Sequence, residues 1–182
     1  MYVSTSYIII IFIKNTNLNL KMFISIKLNV IIITGVSTGI GFFLSKLFLL
    51  NDFFVLGIGN RCNFLLNIFN NFYFFKINLK YIENFNKVRN IFGCFRYGAL
   101  TFNNAGYSSI QKIHNISLKS LKQQINTMFF YPKLITDVNY SAQKRKKYGY
   151  VFSMCSIGGL IPIPKMGTYS ICKSTLFFYI KC

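Results

Sequence analysis

The feature that most constrains this chain is Thr34-Gly35-Val36-Ser37-Thr38-Gly39-Ile40-Gly41, a glycine-rich turn between an apolar run, Leu28 to Ile33, and an amphipathic stretch, Gly39 to Leu50. The apolar run has no polar alternation beyond Asn29, as a strand buried on both faces of a parallel sheet requires. A strand, a glycine turn and a helix in this order can receive the pyrophosphate of a dinucleotide. Gly35 is free to take a positive φ, Gly39 lets a ligand approach the backbone, and Gly41 lets helix and strand pack closely. The first N–H groups of the helix then face the phosphate oxygens. Gly35, Ser37, Thr38, Gly39, Ile40 and Gly41 are therefore the candidate contacts. Such a turn also arises for purely structural reasons, so the remaining sequence has to decide.

Short apolar runs alternate with longer amphipathic stretches from Leu28 onward, the βαβ pattern of an α/β domain. Strands are expected at Phe54 to Ile58, Phe72 to Ile77, Ala99 to Asn103 and Gly149 to Cys155. Helices are expected at Tyr81 to Phe95, at Ser117 to Lys147 with a bend near Pro132, and from Gly167 onward. Residues 1–21 lack helical period and read as an extension outside the domain, which occupies 22–182. The Tyr7 to Ile13 run has seven residues, against the roughly 20 a helix needs to cross a bilayer, so no membrane span is expected. It also lacks the basic start and cleavage site of a signal peptide.

Hydrophobic residues make up 53% of the 182, which excludes a disordered chain. The formal charge of +18 raises nucleic acid as a partner, but the lysines are spread from Lys14 to Lys181 and only Lys144 to Lys147 form a run, better placed at a helix end. No nucleic-acid partner is expected. The abundance of Ile, Phe, Asn, Lys and Tyr matches AT-rich codons. The cysteines at 62, 94, 155, 172 and 182 form no CxxC pair and are odd in number, which argues against a disulfide framework or zinc site and for a reduced, cytoplasmic protein. His114 is the only histidine, so histidine triads are excluded.

Three later motifs give the glycine turn its meaning. Asn103-Asn104-Ala105-Gly106 closes the fourth strand, Ser156 follows the fifth, and Tyr169 and Lys173 stand four apart in Tyr169-Ser170-Ile171-Cys172-Lys173. On a helix that spacing places both side chains on one face. A tyrosine phenol exchanges protons poorly at neutral pH unless a cation favours its phenolate, and Lys173 is such a cation. Ser156, 13 residues before Tyr169, can hold a carbonyl oxygen for proton transfer. Taken singly, each has a plain structural reading: a chance pair on a helix, or a serine capping a turn.

In order and spacing, the four motifs resemble the TGxxxGxG, NNAG, Ser and YxxxK set of the short-chain dehydrogenase/reductase family, over roughly Lys27 to Cys182. The resemblance implies a Rossmann-type doubly wound parallel sheet in the order 3-2-1-4-5, incomplete at its C-terminal edge, and an oxidoreductase acting on a small carbonyl or alcohol substrate. It implies that Tyr169, Lys173, Ser156 and Asn126 are catalytic, with Asn126 bending the long helix and holding a relay water. It further implies that Tyr169, Lys173, Asn104, Ala105 and Gly106 join the cofactor site, Lys173 binding the nicotinamide ribose, and that complete relatives form homo-oligomers. Asn78 stands where many relatives carry an Asp beside adenine.

Two departures matter. No acid lies between Asp52 and Glu83 to bind the adenosine ribose, and Gly59-Asn60-Arg61 stands there instead, leaving room for a 2′-phosphate and a cation to meet it. NADP(H) is accordingly expected over NAD(H), with Asn60 and Arg61 as contacts. The chain also stops nine residues after Lys173, where complete relatives continue, so a catalytically inactive remnant with an uncovered Leu176 to Ile180 run is the alternative expectation.

Overall fold

The computed structural model describes residues 30–94, 100–146 and 149–181, and the side chains of 93–94 and 141–146 are left aside. The N-terminal extension 1–21, the start of the first strand before Val30, Ala99, Lys147 and Cys182 lie outside the described residues. Five parallel strands, β1 (Val30–Thr34), β2 (Phe54–Gly59), β3 (Phe72–Lys76), β4 (Leu100–Asn103) and β5 (Tyr150–Ser153), form one sheet in the order β3-β2-β1-β4-β5. The strand order and parallel sense are those expected from the sequence, and the strand bounds fall within two residues of expectation.

The sheet sorts its side chains by pleat. Ile31 and Ile33 of β1 face one layer with Val55, Leu100, Phe102 and Phe152, where helix α1 (Gly39–Leu49) supplies Phe48 and Leu49. Ile32 faces the other with Leu56 and Ile58, covered by Val88 and Phe92 of helix α2 (Phe85–Cys94) and by Tyr131 and Ile135. Ile31, Ile32 and Ile33 are all fully buried, so the apolar run is a central strand with no solvent face. Phe102 and Phe152 pair in register across β4 and β5, and their rings stack 4.8 Å apart.

Three local features refine the sequence expectation, and the second of them, the irregular turn of the long helix, begins at Asn126 as the resemblance implied. The stretch after Tyr81 opens as a tight 3-10 turn, Ile82–Asn84, and becomes α-helical only at Phe85. The long helix comprises α3 (Leu118–Ile125), a π-helical turn (Asn126–Phe130) and α4 (Tyr131–Lys146), so the irregularity precedes Pro132. Tyr131 donates its N–H five residues back to Asn126, and Pro132 has no N–H to restore the α pattern. Finally, helix α5 (Gly167–Tyr179) buries Leu176, leaving Phe178 as the exposed large side chain of a run expected to be uncovered.

Candidate active site

The chemistry-bearing residues gather outside the carboxyl ends of β1, β2, β4 and β5, where an open α/β sheet places its ligands. Gly35 leaves β1 with φ +76° and donates its N–H to Ile58 O at 2.7 Å, which seats the turn on the end of β2. A Cβ at Gly41 would lie 2.2 Å from Gly35 O and 2.5 Å from Asn104 Nδ2, so only glycine lets α1 start this close to the turn. Gly39 has φ +59° and faces open space. Thr38 precedes α1 without making a side-chain cap, and the first turn carries no acid, so the positive end of the helix is left to an anion. An open backbone at Gly39 beside an uncapped helix start suits a pyrophosphate.

Asn104 braces this cradle. Its Nδ2 donates to Thr34 O at 2.9 Å and Gly35 O at 3.2 Å, while Thr34 Oγ1 accepts the N–H groups of Asn104 and Ala105, both at 3.0 Å. Asn60 and Arg61 are exposed at the end of β2, and Gly59 beside them approaches Gly35. The loop is tied down by Asn63, whose Nδ2 donates to Ser37 O at 3.1 Å, a contact with no motif to announce it. Asn78 accepts the N–H of Lys80 at 3.1 Å, so its Oδ1 shapes its own turn.

That turn is held from the π-helical segment. Asn126 Nδ2 donates to Lys80 O at 2.8 Å, Tyr131 OH donates to Tyr81 O at 2.6 Å, and Thr127 Oγ1 lies 3.2 Å from Leu79 O. Asn126 thus sits where the helix departs from α geometry, and its amide clamps the loop after β3.

The expected catalytic residues lie where β5 gives way to α5, the turn that starts at Ser156 packing on the helix that carries Tyr169 and Lys173. Ser156 accepts the N–H of Gly158 at 3.1 Å and so caps the 3-10 turn Ile157–Gly159, as its plain reading allows. Its turn also carries it to α5: a Cβ on Gly158 would lie 3.4 Å from Tyr169 Cε1, and one on Gly159 would lie 2.8 Å from Lys173 C. The paired glycines two residues after Ser156 were the available signal for this fit. Lys173 is buried, donates to Met154 O, and holds Nζ 5.8 Å from the Tyr169 ring centroid. A Cβ on Gly106 would lie 3.7 Å from that Nζ, which joins the loop after β4 to the Tyr–Lys pair. Burial pushes the Lys173 ammonium below its ordinary value, with Cys155 and Cys172 acting in the other direction. Burial also raises the thiol of Cys155, against the pull of Lys173, and that of Cys172 to about 11.

Residues 29–181 match the family model described as short chain dehydrogenase. By sequence, no curated protein matches the chain. Similar solved structures include a 4-hydroxyisoleucine dehydrogenase complexed with NADH (TM-score 0.74, 21% identity, 83% of this chain and 66% of that one). A short-chain dehydrogenase from Streptomyces avermitilis aligns with TM-score 0.77 and 19% identity over 85% of this chain and 59% of its own. A metagenomic short-chain oxidoreductase in complex with NADP gives TM-score 0.75 and 16% identity over 83% and 72%. The chain therefore spans about two thirds of the length of such neighbours. With the family match over most of its length and the glycine turn, the Asn-Asn-Ala-Gly loop and the Ser–Tyr–Lys cluster at one end of a 3-2-1-4-5 sheet, the chain belongs to the short-chain dehydrogenase/reductase family.

Proposed function

We propose that this protein is an NADP(H)-preferring oxidoreductase that interconverts a carbonyl compound and its alcohol, with Tyr169 moving the proton. The observation that carries the reading is the convergence on Lys173: Gly106 of the cofactor-side loop and the Tyr169 ring both approach its ammonium. Gly35, Ser37, Thr38, Gly39, Ile40 and Gly41 would hold the pyrophosphate, and Asn60 and Arg61 the adenosine end. Asn104 and Ala105 brace the turn that receives the cofactor, and Asn78 borders the adenine side.

The bound dinucleotide supplies or accepts the hydride. Ser156 holds the substrate oxygen, since its Oγ accepts from Gly158 and keeps its own proton for donation. In reduction, Tyr169 passes its phenolic proton to that oxygen, with the Lys173 ammonium 5.8 Å from its ring centroid. In oxidation the proton returns by the same path. Lys173 also reaches the ribose side, and Asn126 acts through the clamp it makes on Lys80. A cytoplasmic location belongs to this reading, supported by Cys62, Cys155 and Cys172 standing unbridged. A homo-oligomeric assembly belongs to it by family likeness.

Titration with NADPH, followed by the change in nicotinamide fluorescence, tests the reading. Saturable binding that is lost in Gly41→Val is expected. An absence of binding by both NADPH and NADH would sink it.

A further inference from the structure

The outward side of α1 is apolar where a surface helix ordinarily carries its polar residues. Ile40, Phe43 and the C-cap Leu50, spaced to fall on one side of the helix, stand in solvent, while the hydroxyl of Ser45 is buried and donates to Gly41 O at 2.8 Å. The 3-10 turn after β2, Phe64–Leu66, extends this surface. Leu66 is buried in the core layer that α1 covers, whereas Phe64, Leu65 and Ile68 stand in solvent. Asn63, through its bond to Ser37 O, fastens that turn beside the start of α1. The six apolar side chains are between 46% and 76% exposed. On the opposite layer α2 turns Asn86, Lys87, Arg89 and Asn90 to water, so an apolar composition does not by itself make a helix apolar outside. Contiguous apolar surface of this kind marks an interaction site.

Cations border it. Lys46 stands within the exposed stripe of α1, and Lys76 follows Phe72 and Phe74 on the side of β3 that packs toward α1, by the alternation of a strand. Arg61 lies at the rim. Asp52, just past Leu50, is the one acid of this face, since Glu83 and Asp137 belong to the layer of α2 and α4. A second copy is a poor occupant. A two-fold contact would set the face against itself, bringing Lys46 and Lys76 of one copy onto the same cations of the other, in a chain of formal charge +18. A helix face of Phe, Ile and Leu edged by Lys has instead the chemistry that enters the headgroup layer of an anionic bilayer.

We propose that this face docks the protein on an anionic phospholipid bilayer. Phe43, Phe64 and Ile68 enter the headgroup layer, and Lys46 and Lys76 meet lipid phosphates. Among the described residues no helix is long and apolar enough to cross a membrane, so the contact is peripheral. The proposal stands independently of the dehydrogenase reading.

The test is co-sedimentation of the full chain with vesicles of phosphatidylcholine alone and of phosphatidylcholine mixed with phosphatidylserine, at physiological salt. Binding to the mixed vesicles and little to phosphatidylcholine alone is expected. The combined substitutions Phe43→Ser, Phe64→Ser and Ile68→Ser should weaken it by more than about tenfold, since three large apolar side chains no longer leave water. Lys46→Gln with Lys76→Gln should weaken it by about fivefold for each charge removed. All five residues are exposed, so the urea midpoints should match the parent. Should the triple variant unfold earlier, Phe64→Ser alone, at the most exposed position, carries the same comparison. Absence of binding to the mixed vesicles would overturn the proposal, as would equal binding to phosphatidylcholine alone. Parent-like binding by the apolar variants would overturn it too, because charge spread over the whole chain would then act without this face. A sedimentation coefficient that falls in the triple variant without vesicles would assign the face to a second copy and overturn it as well.

Discussion

Gly159 stands directly against the backbone of Lys173: a Cβ there would lie 2.8 Å from the lysine's carbonyl carbon and 2.9 Å from its oxygen. Both atoms belong to the α5 main chain, so no side-chain rotation can make room. Gly159→Ala should push the Ser156 turn away from the helix that carries Tyr169. We expect a stability loss of about 1–3 kcal/mol in urea unfolding, as for an overpacked core, and a fall in kcat larger than the change in NADPH affinity. Unchanged stability would mean that the turn can slide without cost.

Cofactor choice turns on the exposed end of β2. Arg61 is the cation that follows Gly59, and no carboxylate occupies that end to hold an unmodified ribose. NADPH should bind more tightly than NADH by about 1.5–3 kcal/mol, the worth of one charge-assisted contact. Arg61→Ala should abolish most of that margin while leaving NADH binding nearly constant. Equal affinities in the parent protein would remove the basis for the preference.

Much of this site was legible because its physics is local. A positive φ at Gly35, an uncapped helix start after Thr38 and a Tyr–Lys pair four residues apart are all properties of short segments, and short segments are what a sequence displays. Contacts between distant segments were not legible. Nothing near Asn126 announces that its amide reaches Lys80, 46 positions earlier, or that Asn63 holds Ser37. The irregular helix was legible near Pro132, which removes a donor, and through the resemblance at Asn126, where the π turn begins; what was not legible is that side chains of Asn126, Thr127 and Tyr131 meet three successive carbonyls of the loop after β3. The Leu176 to Ile180 run reads as uncovered in the sequence, but α5 turns Leu176 inward.

Lys173 gives the folded protein a specific pH dependence. Burial lowers its value from 10.5, so the folded state disfavours the charged form and binds fewer protons than the unfolded chain as pH rises. The penalty is therefore complete below the folded-state value and vanishes as pH climbs through the window up to 10.5. Lys173→Met removes the group, so the thermal midpoint of that variant, relative to the parent, should be highest at neutral pH and decline as pH rises through that window. A constant difference across that range would show that the ammonium carries no such penalty.

The enzyme assignment depends most on Tyr169. A Cβ built on Gly158, two residues from Ser156, would lie 3.4 Å from its Cε1, and Lys173 Nζ lies 5.8 Å from its ring centroid, so the proposed mechanism gives the proton transfer to its hydroxyl. Tyr169→Phe removes only that hydroxyl and keeps the ring contact, so folding and NADPH affinity should persist. Turnover of a ketone should fall by two to four orders of magnitude, roughly the range positioned acid–base catalysis supplies. Lys173→Met should weaken both steps, since the ammonium faces the Tyr ring and the Gly106 loop together. Single-turnover measurement with saturating NADPH separates the chemical step from product release and is the appropriate assay. If Tyr169→Phe oxidises NADPH as fast as its parent, the proton comes from elsewhere and the proposed mechanism is wrong.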